Sequence, residues 1–360
     1  MNPYVIALVI FILFWIMIYA LRNRLKKYGL EVYPLLLLWK RKSREEWFPK
    51  ISRSKYYIVF DKFSIILGII SMIGGIYLIY MVLINLILSP NNSTIRLQPI
   101  IPLVTVGLDQ LPYLLLSLSI SVALHEIFHA ISATSNNVKI KSGGILILGI
   151  FLGAFVEPDE KSFNSAPLVS KLKIISSGIA LNLILSLLFL PIILNIPSLS
   201  QGALITNVEP NSPAFNSSIK PSYIILEINN QTIKTPQDVS KYLRPGSLNY
   251  ITLLTSSSEV KEVSVYIPNS TGKLGVMLNY YFPTPLNWII YFSIWMFNIN
   301  LSLSLLNGAP LIITDGAKIF TEIMKRKFGE LGERISFGLQ LVIILSLVSA
   351  IYLSLISPLG

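Results

Sequence analysis

The 360-residue chain has no cysteine and only two histidines. Without cysteine there is no disulfide framework, no thiolate nucleophile and no Cys-type zinc site. Any metal must be held by His, Asp or Glu. Charge is scarce too: Asp, Glu, Lys and Arg make up 13% of the residues, against about 25% in soluble domains. Hydrophobic residues reach 53% and mean hydropathy is +0.65. A soluble globule of this size would expose too much apolar surface, and a disordered chain would be far more polar. The composition is that of a polytopic α-helical membrane protein. The net charge of +11 matters through its placement in loops, and no nucleic-acid partner is expected.

About six transmembrane helices are expected, since each needs about 20 mostly apolar residues. The candidates are 2–21, 63–89, 111–133, 174–196, 286–306 and 335–356. The first is too long for a signal core, lacks a small-residue cleavage site and reads as a retained anchor. The short run 32–39 cannot span and is expected at the interface. Of the 29 Lys and Arg, 12 lie in 22–62, five in 134–173 and five in 307–334. With six spans these loops share one side, which the positive-inside rule makes cytoplasmic. The sequons at Asn91, Asn92, Asn216, Asn230 and Asn269 all fall in the opposite loops. A sixth, at Asn300, lies inside a span and is expected to be inert.

Segment 200–283 breaks the apolar pattern and reads as a small β-rich domain outside the cytoplasm. Expected strands are 203–208, 223–228, 251–255 and 260–267, with a helix at 236–243 capped by Thr235. The whole chain therefore divides into an N-terminal two-span region (1–104), a first core part (105–199), the insert (200–283) and a second core part (284–360).

The chemistry lies in the third span, in V-A-L-H-E-I-F-H-A-I. His125 and His129 are four apart, so on a helix both rings share one face. Glu126 sits beside the first and can reach a water without ligating. This is the H-E-x-x-H pattern of zinc metalloproteases. Two imidazoles and a carboxylate leave one zinc position open, the catalytic arrangement. Such a metal polarises the scissile carbonyl and lowers the pKa of water, and Glu126 takes and returns the proton. The bland reading is a pair of packing histidines with a snorkelling glutamate. Against it, the glutamate lies inside an apolar span, where an ionisable group is costly and by default functional.

A third ligand must exist. Asp109 lies at the outer end of the same span. Glu157, Asp159 and Glu160 follow it on the inner side, and Asp315 lies between the last two spans. His125 is 14 residues from Leu111, about 21 Å deep at 1.5 Å per residue, so the site sits toward the cytoplasmic face. Asp315 has that depth. Gly308, Pro310 and Gly316 break regular helix around it, as expected where backbone lines a cavity. Asp315 is the expected ligand.

These motifs resemble the site-2 protease family of intramembrane zinc metalloproteases. H-E-I-F-H is similar to its first motif. N-G-A-P-L-I-I-T-D-G fits its second, through Asn307, Pro310, Asp315 and Gly316. S-G-I-A-L-N fits a G-x-x-x-N element, Gly178 and Asn182. The resemblance covers about 105–335. It implies one Zn2+ per chain on His125, His129 and Asp315, with Glu126 as the catalytic base. The chain departs from the family where Ile312 and Ile179 stand for proline and Thr314 for leucine. The insert, from G-A-L-I-T-N-V-E-P-N-S-P-A onward, resembles a protease-associated PDZ domain, whose peptide-holding loop would be Gly202, Ala203 and Leu204. A spacer, lid or size filter is the alternative.

Asn182 and Asn307 are candidate substrate-binding residues. A buried amide needs partners, so Asn182 either bonds substrate or an oxyanion, or holds a neighbouring helix; for Asn307 a helix cap is the alternative. The apolar, glycine-punctuated segment 145–156 is too short to span. It is expected as a re-entrant β-hairpin whose edge pairs with unwound substrate, or else as a packing loop.

The expected function is intramembrane proteolysis of single-span membrane proteins within the lipid. The cut lies toward the cytoplasm, in what looks like a cell membrane, and the resemblance implies an earlier cleavage outside. One rival is a non-cleaving chaperone or scaffold, disfavoured by the intact Glu126. Another is a metal transporter, disfavoured by the lack of internal repeats.

Overall fold

A computed structural model describes residues 3–42, 48–89, 96–102 and 104–356. The sequons at Asn91 and Asn92 lie outside the described residues. The chain forms two compact units. One is Met1–Leu188 with Trp295–Gly360, the other Phe189–Ile294. The second unit thus takes the end of one span and the start of the next along with the insert.

The long helices are α1 (Pro3–Ala20), α2 (Lys55–Leu88), α3 (Leu111–Ser135), α4 (Leu168–Leu194), α5 (Leu286–Gly308), α6 (Asp315–Phe328) and α7 (Glu330–Ile356). Among the described residues, α2, α3, α4, α5 and α7 are long and apolar enough to cross a membrane. The bent pair Leu8–Ala20 and Arg22–Tyr28, which meet at 58°, would make a sixth span. Helix α2 begins eight residues before the apolar run that marks it in the sequence. Ser54 caps it there, its side chain accepting the Tyr57 N–H at 3.2 Å. Small residues let neighbours approach α2 closely, as in membranes generally. A Cβ on Gly75 would fall 2.0 Å from the Leu305 carbonyl oxygen. One turn away, Ser71 and Ser304 share a 2.7 Å hydrogen bond.

The first unit also holds a sheet of β1 (Leu30–Tyr33), β2 (Leu36–Lys42), β3 (Ile140–Leu148) and β4 (Phe151–Pro158), in the order β1-β2-β3-β4. All neighbours are antiparallel. The run 32–39 is therefore part of a hairpin that extends the sheet. The hairpin at 145–156 is longer than its apolar run, because β-pairing continues through polar residues from Ile140 to Pro158. Gly149, with a φ of +61°, makes its turn. The Trp15 indole of α1 donates to the Gly149 carbonyl at 3.2 Å.

The second unit contains β5 (Ala203–Val208), β6 (Ile224–Ile228), β7 (Gln231–Thr232), β8 (Ser247–Leu254), β9 (Val260–Ile267) and β10 (Val276–Tyr280). Their order is β10-β5-β6-β8-β9, with β7 paired to β6. Asn229 and Asn230, both with positive φ, form the β6–β7 turn, which favours asparagine. The helix Pro236–Tyr242 begins after Thr235, whose N–H donates to Asp238 at 2.8 Å. Ile205, Ile225, Ile228, Ile251, Leu253 and Ile267 are fully buried and form the core.

Candidate metal centre

His125 and His129 lie one turn apart on α3 and project to one side. Their Nε2 atoms are 3.0 Å apart, and each is 3.1 Å from Asp315 Oδ2. Among the described residues this is the group of His, Asp and Glu that could hold a metal ion. Ligands about 2.0–2.1 Å from a tetrahedral zinc lie roughly 3.3 Å from one another. The observed separations are close to that.

Each element is shaped to bring these atoms together. Thr314 caps α6, accepting the N–H groups of Leu311 at 3.0 Å and Ala317 at 3.3 Å, which puts Asp315 first in the helix. Its hydroxyl also donates to the Ala309 carbonyl at 2.5 Å. The departure at Thr314 is thus the fastening of this loop. Ile312 has a φ of +47°, which a proline ring could not adopt. A Cβ on Gly316 would fall 1.7 Å from the Gly308 carbonyl oxygen, so only glycine closes the turn. Gly178 of α4 leaves the space beside the rings. A Cβ there would sit 2.6 Å from His129 Nε2 and 2.7 Å from His125 Nε2. The nitrogens converge on a place that a side chain would fill, so the residues present fit a metal.

The supporting bonds have direction. His129 Nδ1 lies 2.7 Å from the Ile174 carbonyl, which can only accept, so Nδ1 carries the proton and Nε2 offers its lone pair. Asn307 Oδ1 accepts the Asp315 N–H at 3.1 Å. Its Nδ2 donates to Asp315 Oδ2 at 2.9 Å and lies 3.2 Å from His125 Nε2. Lys318 donates to Asp315 Oδ1 at 2.9 Å. Asn182 is fully buried, with Oδ1 2.5 Å from His125 Nδ1 and Nδ2 donating to Asn300 at 2.8 Å. Both ends of that amide are thus engaged within the protein. Glu126 accepts the Val156 N–H of β4 at 3.0 Å.

The competing acids are otherwise employed. Glu157 accepts from Lys141 at 2.5 Å, Lys40 at 2.7 Å and Ser142 at 2.6 Å. The Lys141 bond foremost, with those of Lys40 and Ser142, pulls its carboxyl down to about 2. Asp159 caps a short helix by accepting the Ser162 N–H. Asp109 accepts from Gln110.

One placement corrects the sequence reading. Gly202, Ala203 and Leu204 do not form an open peptide-holding loop. The Gly202 N–H is taken by the Lys234 carbonyl. Ala203 and Leu204 are paired with β10 on one side and β6 on the other. A peptide strand would have to displace one of them. Alternation in the sequence finds a strand but not which strand lies at the edge.

The sequence also hid a second polar cluster near the site. Asp61 of α2 is buried and accepts from Ser132 in the last turn of α3 at 2.5 Å and from its C-cap Asn136 at 2.9 Å. Lys173 of α4 is 3.4 Å away. The Tyr57 hydroxyl donates to the Phe128 carbonyl. The signal was an aspartate two residues before an apolar run, easily read as solvated.

Residues 113–348 match the family model of peptidase family M50. The chain belongs to peptidase family M50. An uncharacterized protein of Methanocaldococcus jannaschii is 27% identical over 338 residues, covering 91% of this chain and 88% of that protein. A protein of Arabidopsis thaliana named as a membrane-bound transcription factor site-2 protease homolog is 27% identical over 38% of this chain and 28% of its own length. A Clostridium acetobutylicum protein named as a candidate zinc metalloprotease is 27% identical over 44% and 54%. The chain thus spans about a quarter and about half of the latter two. Family and spans together make it a membrane metalloprotease. The M50 match begins inside α3, so α1, α2 and β1–β2 precede it.

Proposed function

We propose that this M50 protein is an intramembrane zinc endopeptidase. His125, His129 and Asp315 would hold one Zn2+, which when bound polarises the scissile carbonyl and activates water. The observation that carries the reading is the convergence of Nε2, Nε2 and Oδ2 beside the Cβ-free Gly178. Glu126 takes a proton from the attacking water and hands it to the leaving amine. Before substrate arrives, the Val156 N–H holds its carboxylate at the edge of β4. Asn307 keeps the Asp315 carboxylate turned toward the histidines.

The substrate is a transmembrane segment of another protein, single-span and trimmed beforehand. Its backbone must unwind, because a helix shields its peptide bonds. On β4, Leu152 and Ala154 alternate in phase with Val156. Their backbone groups face the edge that pairs with no other strand among the described residues, and this edge would take the unwound segment. The cut lies toward the cytoplasm. The insert is a PDZ-like domain outside it, acting as a size filter.

The test pairs the wild type with Glu126→Gln, both purified as the full chain. Zinc near one per chain in both, with a model transmembrane substrate cut by the wild type alone, is expected. Loss of the base should lower the rate by about 100- to 10,000-fold. Equal cutting by Glu126→Gln would remove Glu126 from the mechanism. Zinc without cutting in the wild type, over a broad substrate panel, would favour the non-cleaving scaffold.

A further inference from the structure

His129 fixes its tautomer in one step, on a backbone carbonyl. His125 has only an amide beside its Nδ1, and an amide can point either end forward. What turns Asn182 the right way is Asn300 of α5. Asn300 is fully buried. Its Nδ2 lies 2.8 Å from the Met296 carbonyl and 2.8 Å from Ser121 Oγ. The Met296 carbonyl can only accept, so the NH2 end of Asn300 must face it. Asn300 Oδ1 then faces Asn182 and can only accept, so the NH2 end of Asn182 turns toward it at 2.8 Å. That leaves Asn182 Oδ1 against His125 Nδ1. An oxygen there demands a proton on Nδ1 and frees the Nε2 lone pair.

A second chain reaches the same ring from the other side. The Asp315 N–H can only donate, so Asn307 presents Oδ1 to it and Nδ2 to His125 Nε2. A donor there suits a lone pair on Nε2, while Asp315 Oδ2, an acceptor 3.1 Å from the same nitrogen, does not require one. The tautomer of His125 is therefore fixed from the Nδ1 side, by Asn182 and Asn300.

We infer that Asn300 is a positioning residue. Through Asn182 it sets the tautomer of His125, so that Nε2 faces the metal side. The value of that tautomer for zinc rests on the function proposed above; the orientation itself does not. Asn300 touches neither the reacting atoms nor a candidate ligand. Its sequon is buried for this use.

The chain's two histidines make the test direct. Full-length metal-free protein is labelled with 15N at histidine in detergent. Spectra are taken over a series of rising pH until the histidine signals stop changing, so that neutral rings are compared. Both should carry the proton on Nδ1 in the wild type. In Asn300→Leu, His129 should be unchanged and His125 should become a mixture of tautomers. Zinc affinity, read by competition with a chelator, should fall about 10- to 100-fold. With Asn182 already changed to Leu, adding Asn300→Leu should cost less than about twofold more, since the route is already cut.

An Nε2-protonated His125 in the wild type would overturn the inference, even if the variant does not fold. So would an unaltered His125 in Asn300→Leu, or an equal loss of affinity with and without Asn182. If the wild type binds no zinc, the proposed function fails while the histidine spectra still decide the relay.

Discussion

The two units of this protein are built inside out from each other. In the insert, Ile205, Ile225, Ile251 and Leu253 are fully buried, and Glu209, Lys220, Lys234, Lys241 and Arg244 are exposed. In the membrane unit, Ser64, Ser71, Ser121, Asn182, Asn300 and Ser304 are fully buried, while Leu8, Ile73 and Leu188 are more than half exposed. The solvents explain the contrast. Water drives apolar side chains together. Lipid tails give no such drive, so close packing and hydrogen bonds must hold helices together. Those of Asn182, Asn300 and Ser121 also lead to His125 of the metal site. In the insert the core builds a fold; in the membrane unit much of the core is also the support of the chemistry.

The sharpest way to break this contrast is Gly178→Ala. One methyl group would sit 2.6 Å from His129 Nε2 and 2.7 Å from His125 Nε2. Zinc content and cutting should both be lost, while the insert's unfolding transition stays where it was. Next in size is Asp61→Ala, which leaves the Lys173 charge without its buried partner. Such losses cost about 3–5 kcal/mol. Thermal denaturation should show the membrane unit weakened, and zinc retention should fall because Asp61 holds Ser132, three residues after His129 on α3.

Ile225→Ala is the mirror experiment. It opens the insert's core at a cost of about 2–5 kcal/mol. Urea unfolding should show this in the insert alone, and zinc per chain should not change. A loss of zinc would mean that the insert's core also supports the metal site.

The smallest effect belongs to pH. Glu157 is pulled down to about 2 by Lys141, Lys40 and Ser142. A depressed carboxylate adds stability above its unfolded pKa of about 4.3. That stability drains away as pH falls from there toward about 2. Hydrogen exchange of the β2, β3 and β4 amides should quicken over that window, and Glu157→Gln should flatten the dependence.

Much of this was legible beforehand. The H-E-x-x-H spacing and the depth of Asp315 named the three converging donors. The strands 203–208 and 260–267 fall where alternation placed them. The misses share one cause, namely partners far apart in sequence. Nothing local tells that Leu36–Lys42 pairs with Ile140–Leu148, or that Ala203 is covered on both sides. Asp61 and Asn300 looked idle because the residues they hold are 71 and 118 positions away.

The most direct measurement is zinc per chain in the purified wild type and in the His125→Ala/His129→Ala double variant. One zinc in the first and about none in the second is the predicted result. Zinc near one per chain in both would contradict the metal centre on which the account stands.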